Sequence, residues 1–374
     1  MNGSDNLEAT ERPDIAGRLA RLRSSVIGID GDIDAILVSH LTNVRYLTGF
    51  TGSAGVLLVT ADGATLITDG RYTIQAADQL ADAGVTCELV IESEAPLKRL
   101  SDVVRSADAN HLGLEAQYVP WSTLMSWESA FDGVDLVPTS DAIEALRIIK
   151  DAGELAVMKR AAAIADDALE EVRSLLADRP TEKEFGLELD TAMRRLGADD
   201  VSFETIVASG PNAARPHHRP GHRTIAAGDL VILDFGALVD GYHSDMSRTF
   251  CIGEPTPIQA RMLTVVAEAQ AAGASLVGPG VAARDIDAVC RERIAEAGWA
   301  DAFTHGTGHG VGLDIHEAPR VGRTSDATLA PGHVVTVEPG VYLEEHGGVR
   351  IEDTLVVSID GAEVLTRSPK LTTV

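Results

Sequence analysis

Cysteine is scarce and unpaired in this 374-residue chain. Cys87, Cys251 and Cys290 are odd in number, widely spaced and outside any C-x-x-C pattern. That usage excludes a disulfide framework and a thiolate zinc site, and predicts three buried structural thiols. Long apolar runs are also missing. None approaches the ~20 residues that a membrane-spanning helix requires, so no membrane partner is expected. Basic charge is the third shortage: 31 Lys+Arg face 57 Asp+Glu, giving a net charge of −26. Such a surface repels phosphate backbones and anionic lipids, which argues against nucleic acid as a partner. Residues 1–13 are polar, with Asp5, Glu8 and Glu11, and show neither an apolar signal core nor a basic transit pattern. A cytoplasmic location is therefore expected.

What is present is enough for two domains. Residues 1–12 are predicted to be a disordered tail, residues 13–150 a first domain and residues 151–374 a second. Short apolar runs at 35–39, 56–60, 65–68 and 112–115 alternate with segments of helical spacing such as 71–83, which predicts an α/β layer domain. Beyond residue 150, Met158, Ala162, Ala165, Leu169, Val172 and Leu176 form one apolar stripe on a long helix. Phe185, Leu189, Met193 and Leu196 mark a second helix, ended by Gly197. Both stripes read as core.

The second half contains an internal repeat. Residues 224–236 (TIAAGDLVILDFG) align without gaps on 328–340 (TLAPGHVVTVEPG), with five of 13 positions identical. Each copy leads through a glycine turn into a β-branched strand that ends in a carboxylate, Asp234 or Glu338. A second carboxylate follows each, Asp245 after 11 residues and Glu352 after 14. Helices are predicted at 258–276 and 285–297. The simplest model is two related halves about a pseudo-twofold axis, with the four acids meeting at the middle.

One acid at a strand end is ordinarily a solvated surface group. Acids at equivalent positions of a repeat, brought together, could not all ionise without cations. Two divalent cations would balance four negative charges, and a hydroxide between them would be a strong nucleophile at neutral pH. Carboxylate-rich ligation suits Mn²⁺, with Co²⁺, Fe²⁺ and Zn²⁺ also possible once imidazole joins. Imidazoles are at hand. His305, His309 and His316 lie within twelve residues among glycines, which let backbone approach a site closely. His217 and His218 sit in the Gly/Pro-rich segment 210–221, where functional groups are often displayed. His40, His111, His222, His333 and His346 have no local pattern and read as surface or structural. Asp234-Phe-Gly236 copies a kinase triplet without the partners a kinase needs, and the glycines after His305 fail the dinucleotide spacing.

The pattern resembles the pita-bread-fold metallopeptidases, specifically the Xaa-Pro aminopeptidase and Xaa-Pro dipeptidase (prolidase) branch. The resemblance covers nearly the whole chain. It includes residues 43–52 (NVRYLTGFTG), 68–72 (TDGRY) and 201–206 (VSFETI). It implies an α/β creatinase-like N-terminal domain followed by an α+β pita-bread (creatinase/aminopeptidase) catalytic domain. By position, Asp234 would bind one metal, Asp245 and Glu352 would bridge the pair, and His309 and Glu338 would bind the other. All five are present, unlike the metal-free creatinase branch. The resemblance further implies that a metal-bridging hydroxide attacks the scissile carbonyl while Glu338 shuttles the proton to the leaving prolyl nitrogen. His217 and His316 would hydrogen-bond the substrate, and His305, Arg320 and Arg350 would stand behind the ligands or contact the substrate carboxylate. It implies short proline-containing peptides as substrates and a homodimer as the assembly. The expected function is a dinuclear-metal exopeptidase cutting N-terminal Xaa-Pro bonds. The alternatives are a strict prolidase, a methionine-aminopeptidase-like hydrolase, and a non-catalytic binding module on the same fold.

Overall fold

The computed structural model describes residues 12–28, 33–370 and 372–374. The predicted tail lies outside them, Arg12 excepted. Two units emerge, residues 13–147 and 148–374, so the division falls after Arg147, close to the predicted junction at Lys150. No described helix is long and apolar enough to cross a membrane.

The first unit is a mixed six-stranded sheet. Its strands are β1 (Ala35–Val38), β2 (Val56–Thr60), β3 (Ala64–Thr68), β4 (Glu88–Ile91), β5 (His111–Glu115) and β6 (Asp135–Thr139). They run in the order β4-β3-β2-β1-β5-β6. β1 pairs antiparallel with β2 and parallel with β5. The connecting helices are α1 (Arg18–Val26), α2 (Leu41–Thr48), α3 (Thr73–Asp82), α4 (Pro96–Ser106) and α5 (Trp121–Ala130), with the short α6 (Glu144–Arg147) at its end. Leu37, Leu58, Ile67 and Leu112 of the sheet bury against Leu100 and Val104 of α4, Trp127 of α5 and Phe131 just after it. β4 and β6 were not anticipated, because Glu88 and Asp135 open strands only partly buried at the sheet edges.

The second unit opens with α7 (Ala152–Val172) and α8 (Glu182–Arg195), each started by a reciprocal capping box, Asp151 with Glu154 and Thr181 with Glu184. The stripe from Met158 to Leu176 is buried as predicted; so are Phe185, Leu189 and Met193. Leu196 is a correction. It is 40% exposed, because the helix has already ended at Arg195. Cys87 is likewise only partly buried, while Cys251 and Cys290 are buried and all three are free.

Two antiparallel hairpins form the centre. β7 (Asp200–Val201), β8 (Ile206–Ser209), β9 (Leu230–Phe235), β10 (Ala237–Val239), β11 (Tyr242–His243) and β12 (Met246–Cys251) precede α9 (Pro257–Leu276) and α10 (Ala283–Glu296). β13 (Gly308–Gly310), β14 (Glu317–Val321), β15 (Val334–Val337), β16 (Gly340–Leu343), β17 (Gly347–Arg350), β18 (Asp353–Val357), β19 (Ala362–Val364) and β20 (Thr372–Thr373) follow. β9 pairs with β12 and β15 with β18, so each copy of the repeat builds one hairpin. These strands are β-branched and buried, as suits a covered sheet. Val335, Val337 and Leu355 share a core with Met262 and Val266 of α9 and Ile286 and Cys290 of α10.

Candidate metal centre

The hairpins place the four acids. Asp234 lies one residue before the end of β9, and Glu338 follows β15 directly. Asp245 precedes β12, and Glu352 precedes β18. The returning strands are then stitched together. Glu352 N donates to Ser247 O at 3.1 Å, Thr354 Oγ1 to Asp245 O at 2.7 Å, and Thr249 Oγ1 to Arg350 O at 2.8 Å. Asp245 and Glu352 therefore meet at the seam between the two copies.

His309 enters on β13, held between β14 and β15. Its neighbour Gly308 makes this possible, since a Cβ there would stand 2.0 Å from Thr336 O. One ligating atom each from Asp245, His309 and Glu352 lies within 4.8 Å of the others. His309 Nε2 is 3.5 Å from both Asp245 Oδ2 and Glu338 Oε1. Nδ1 of the same ring donates to Gly310 O at 3.0 Å, leaving the lone pair on Nε2, directed at the acids. Burial pushes this imidazole down to about 4, which keeps it neutral.

The acids are electrostatically frustrated. Burial, reinforced by Glu352, Asp234 and Glu338, drives the Asp245 carboxyl well above its usual range. Burial does the same to Glu352, reinforced by Glu338 and Asp234. Glu338 is pushed up to about 8, burial again leading. Arg350 is the cation that relieves them, its guanidinium 2.7 Å from Asp234 Oδ2. One guanidinium does not balance four acids. Glu352 Oε1 is moreover buried without a hydrogen-bond partner, an arrangement that costs free energy unless a cation fills it. Carboxylate oxygens with one lone-pair imidazole nitrogen are a donor set for hard or borderline divalent cations. These residues fit a divalent-metal site.

The remaining predicted residues border the cluster. His316 and His217 are exposed. The His316 ring packs edge-on against His309 at 4.4 Å between centroids. His217 lies near enough to His305 and His316 to act on both electrostatically. His305 Nε2 accepts from Tyr342 Oη at 2.8 Å, and that hydroxyl accepts from Arg350 at 3.0 Å. Burial lowers His305 to about 4. Arg320 is exposed at the end of β14, its charge felt by both His309 and His316.

Several members were missed from sequence. Tyr342 could have been found as the polar residue on the strand that follows the second repeat. Buried Glu182 lies 2.8 Å from the partly buried His218, which the sequence had already singled out beside His217. Glu182 gave no signal among 57 acids. His243 is bonded to Ser202 Oγ at 2.8 Å, away from any motif.

Residues 156–358 match the model of metallopeptidase family M24, and residues 18–149 match the creatinase/prolidase N-terminal domain. The uncharacterized peptidase YqhT of Bacillus subtilis is 41% identical over 94% of this chain and 98% of its own. A solved structure titled Xaa-Pro dipeptidase from Bacillus anthracis superposes with a TM-score of 0.91 at 40% identity, covering 96% of this chain and 99% of that one. An X-Pro aminopeptidase from Thermotoga maritima superposes with a TM-score of 0.87 at 34% identity, covering 96% and 100%. The chain belongs to metallopeptidase family M24, whose members work with divalent metal ions, and carries that family's domain behind a creatinase/prolidase N-terminal domain.

Proposed function

We propose that this peptidase hydrolyses the Xaa-Pro bond at the N-terminus of short peptides. The observation that carries the metal chemistry is the buried acid cluster gathered around the unpartnered Glu352 Oε1, facing the lone pair of His309. The proline preference is supported by the relatives of like length titled Xaa-Pro dipeptidase and X-Pro aminopeptidase. Asp234, Asp245, His309, Glu338 and Glu352 would hold two divalent cations, with Mn²⁺ the first choice. Once bound, these supply charge compensation and an activated water. Glu338, at the edge of the cluster, accepts a proton and returns it to the prolyl nitrogen of the leaving group. His217 and His316 donate to the substrate and to the oxyanion that develops on its carbonyl. A strict Xaa-Pro dipeptidase is the second reading. The exposed guanidinium of Arg320 beside His316 favours it, since it offers a counter-charge for a free carboxylate.

The working assembly in this proposal is a cytoplasmic homodimer, to be checked by light scattering and cell fractionation. The activity is tested on Ala-Pro and Ala-Pro-Ala, with added Mn²⁺ and again after chelation. Cleavage of both supports an aminopeptidase that also takes dipeptides, and cleavage of Ala-Pro alone a prolidase. Failure to cut either with metal bound overturns the proline assignment.

A further inference from the structure

We propose that Glu182 is a positioning residue: its buried carboxylate fixes the 209–221 loop and thereby sets the place of the His217 imidazole. The inference rests on the reading of His217 as a substrate-contacting group.

Glu182 opens α8 and is fully buried. It is not needed there as a cap, because Thr181 and Glu184 already close the capping box. Instead, its carboxylate points into the loop. Oε1 accepts from Ser209 N at 2.9 Å, Ser209 Oγ at 2.7 Å and Asn212 Nδ2 at 2.9 Å. Oε2 accepts from His218 Nε2 at 2.8 Å and Gly221 N at 3.1 Å. The loop is thus gathered at its start, its first turn, its middle and its end by one side chain. Burial would raise this carboxyl, but the hydrogen bonds from Asn212, Ser209 and His218 outweigh it and hold the group below the usual glutamate range. An ionised, saturated acceptor of this kind is rigid, because any movement leaves a buried charge short of donors.

A second anchor acts on the other side of His217. Arg350 donates to Pro216 O at 3.2 Å while its other nitrogen holds Asp234. β17 also runs hard against the loop: a Cβ on Gly348 would lie 2.0 Å from Ala213 O. His217 therefore stands between Pro216, tied to the acid cluster, and His218, tied to Glu182. With its own ring exposed, its position is inherited from these two neighbours.

The test is a double-mutant cycle of Glu182→Gln and His217→Ala in the full-length, Mn²⁺-loaded protein, read on Ala-Pro and Ala-Pro-Ala. Glu182→Gln is expected to lower kcat about 10-fold or more, as a displaced catalytic group does. In the His217→Ala background it is expected to change kcat no further. Hydrogen exchange of amides in residues 209–221 is expected to quicken, with the Mn²⁺-induced rise in Tm retained. Full additivity with His217→Ala, or unchanged exchange in the loop, overturns the proposal. Should Glu182→Gln fail to fold, Asn212→Ala removes one donor only, and the same non-additivity at smaller size is expected. If the parent protein cuts neither peptide, the Xaa-Pro reading falls, while loop exchange still decides whether Glu182 holds the loop.

Discussion

Asp245 is buried beside three other acids at the seam of the repeat, so its charge is costly until a cation arrives. Asp245→Asn keeps the shape and removes that charge. The metal-free variant is expected to melt at or above the parent Tm, while the Mn²⁺-induced rise shrinks and hydrolysis is lost. Thermal unfolding with and without Mn²⁺, alongside the peptide assay, checks both halves. His316 is exposed and packs on the His309 ring without occupying the Asp245–Glu352 pocket. His316→Ala is therefore expected to lower kcat by about 10² while metal-induced stabilisation stays, the scale of a lost oxyanion donor. An unchanged kcat would assign the ring to structure. The acids were legible because the repeat sets Asp234 and Glu338 at equivalent strand ends, each followed by a second acid. Arg350 was only half legible: a sequence gives its neighbour Glu352, but its partner Asp234 is 116 positions away.

At the scale of elements, β14 depends on a buried ion pair. Lys150 Nζ lies 2.8 Å from Glu317 Oε2, with side-chain exposures of 1% and 7%. Glu317 also accepts from Asp314 N at 3.1 Å, and so braces the turn that presents His316. Lys150→Met deprives Glu317 of the ammonium in a dry setting, at a cost of about 3–5 kcal/mol. A fall in Tm of the order of 10 °C is expected by calorimetry; a shift below 2 °C would mean that water reaches the pair. Helices were the most readable elements, since their stripes repeat every three or four residues: α9 and α10 lie where the pattern put them, and α7 stops at Val172, with Leu176 of its stripe in the 3-10 stretch Arg173–Asp178 that follows. Edge strands were the least readable. β4 and β6 have mixed burial and lack the apolar run that marks β1 or β9.

At the scale of the whole molecule, each unit holds a core of its own, one around the β1–β6 sheet and one around the paired hairpins. Calorimetry of the full chain is expected to resolve two transitions, of which Mn²⁺ raises one and leaves the other in place. A single transition moved as a whole by metal would show that the units unfold together. The sequence by itself determined the two-part architecture, the duplicated hairpin and the candidate acids and histidines, because periodicity, repeat and spacing are local properties of the chain. Only the tertiary structure decided which groups serve one another. Arg350 on Asp234, Tyr342 on His305, Lys150 on Glu317 and Glu182 on His218 are pairings that need one side chain's charge or hydrogen-bond capacity to meet another's across folded distance. Their partners are separated by 36 to 167 residues, and burial, not sequence proximity, makes each of them matter.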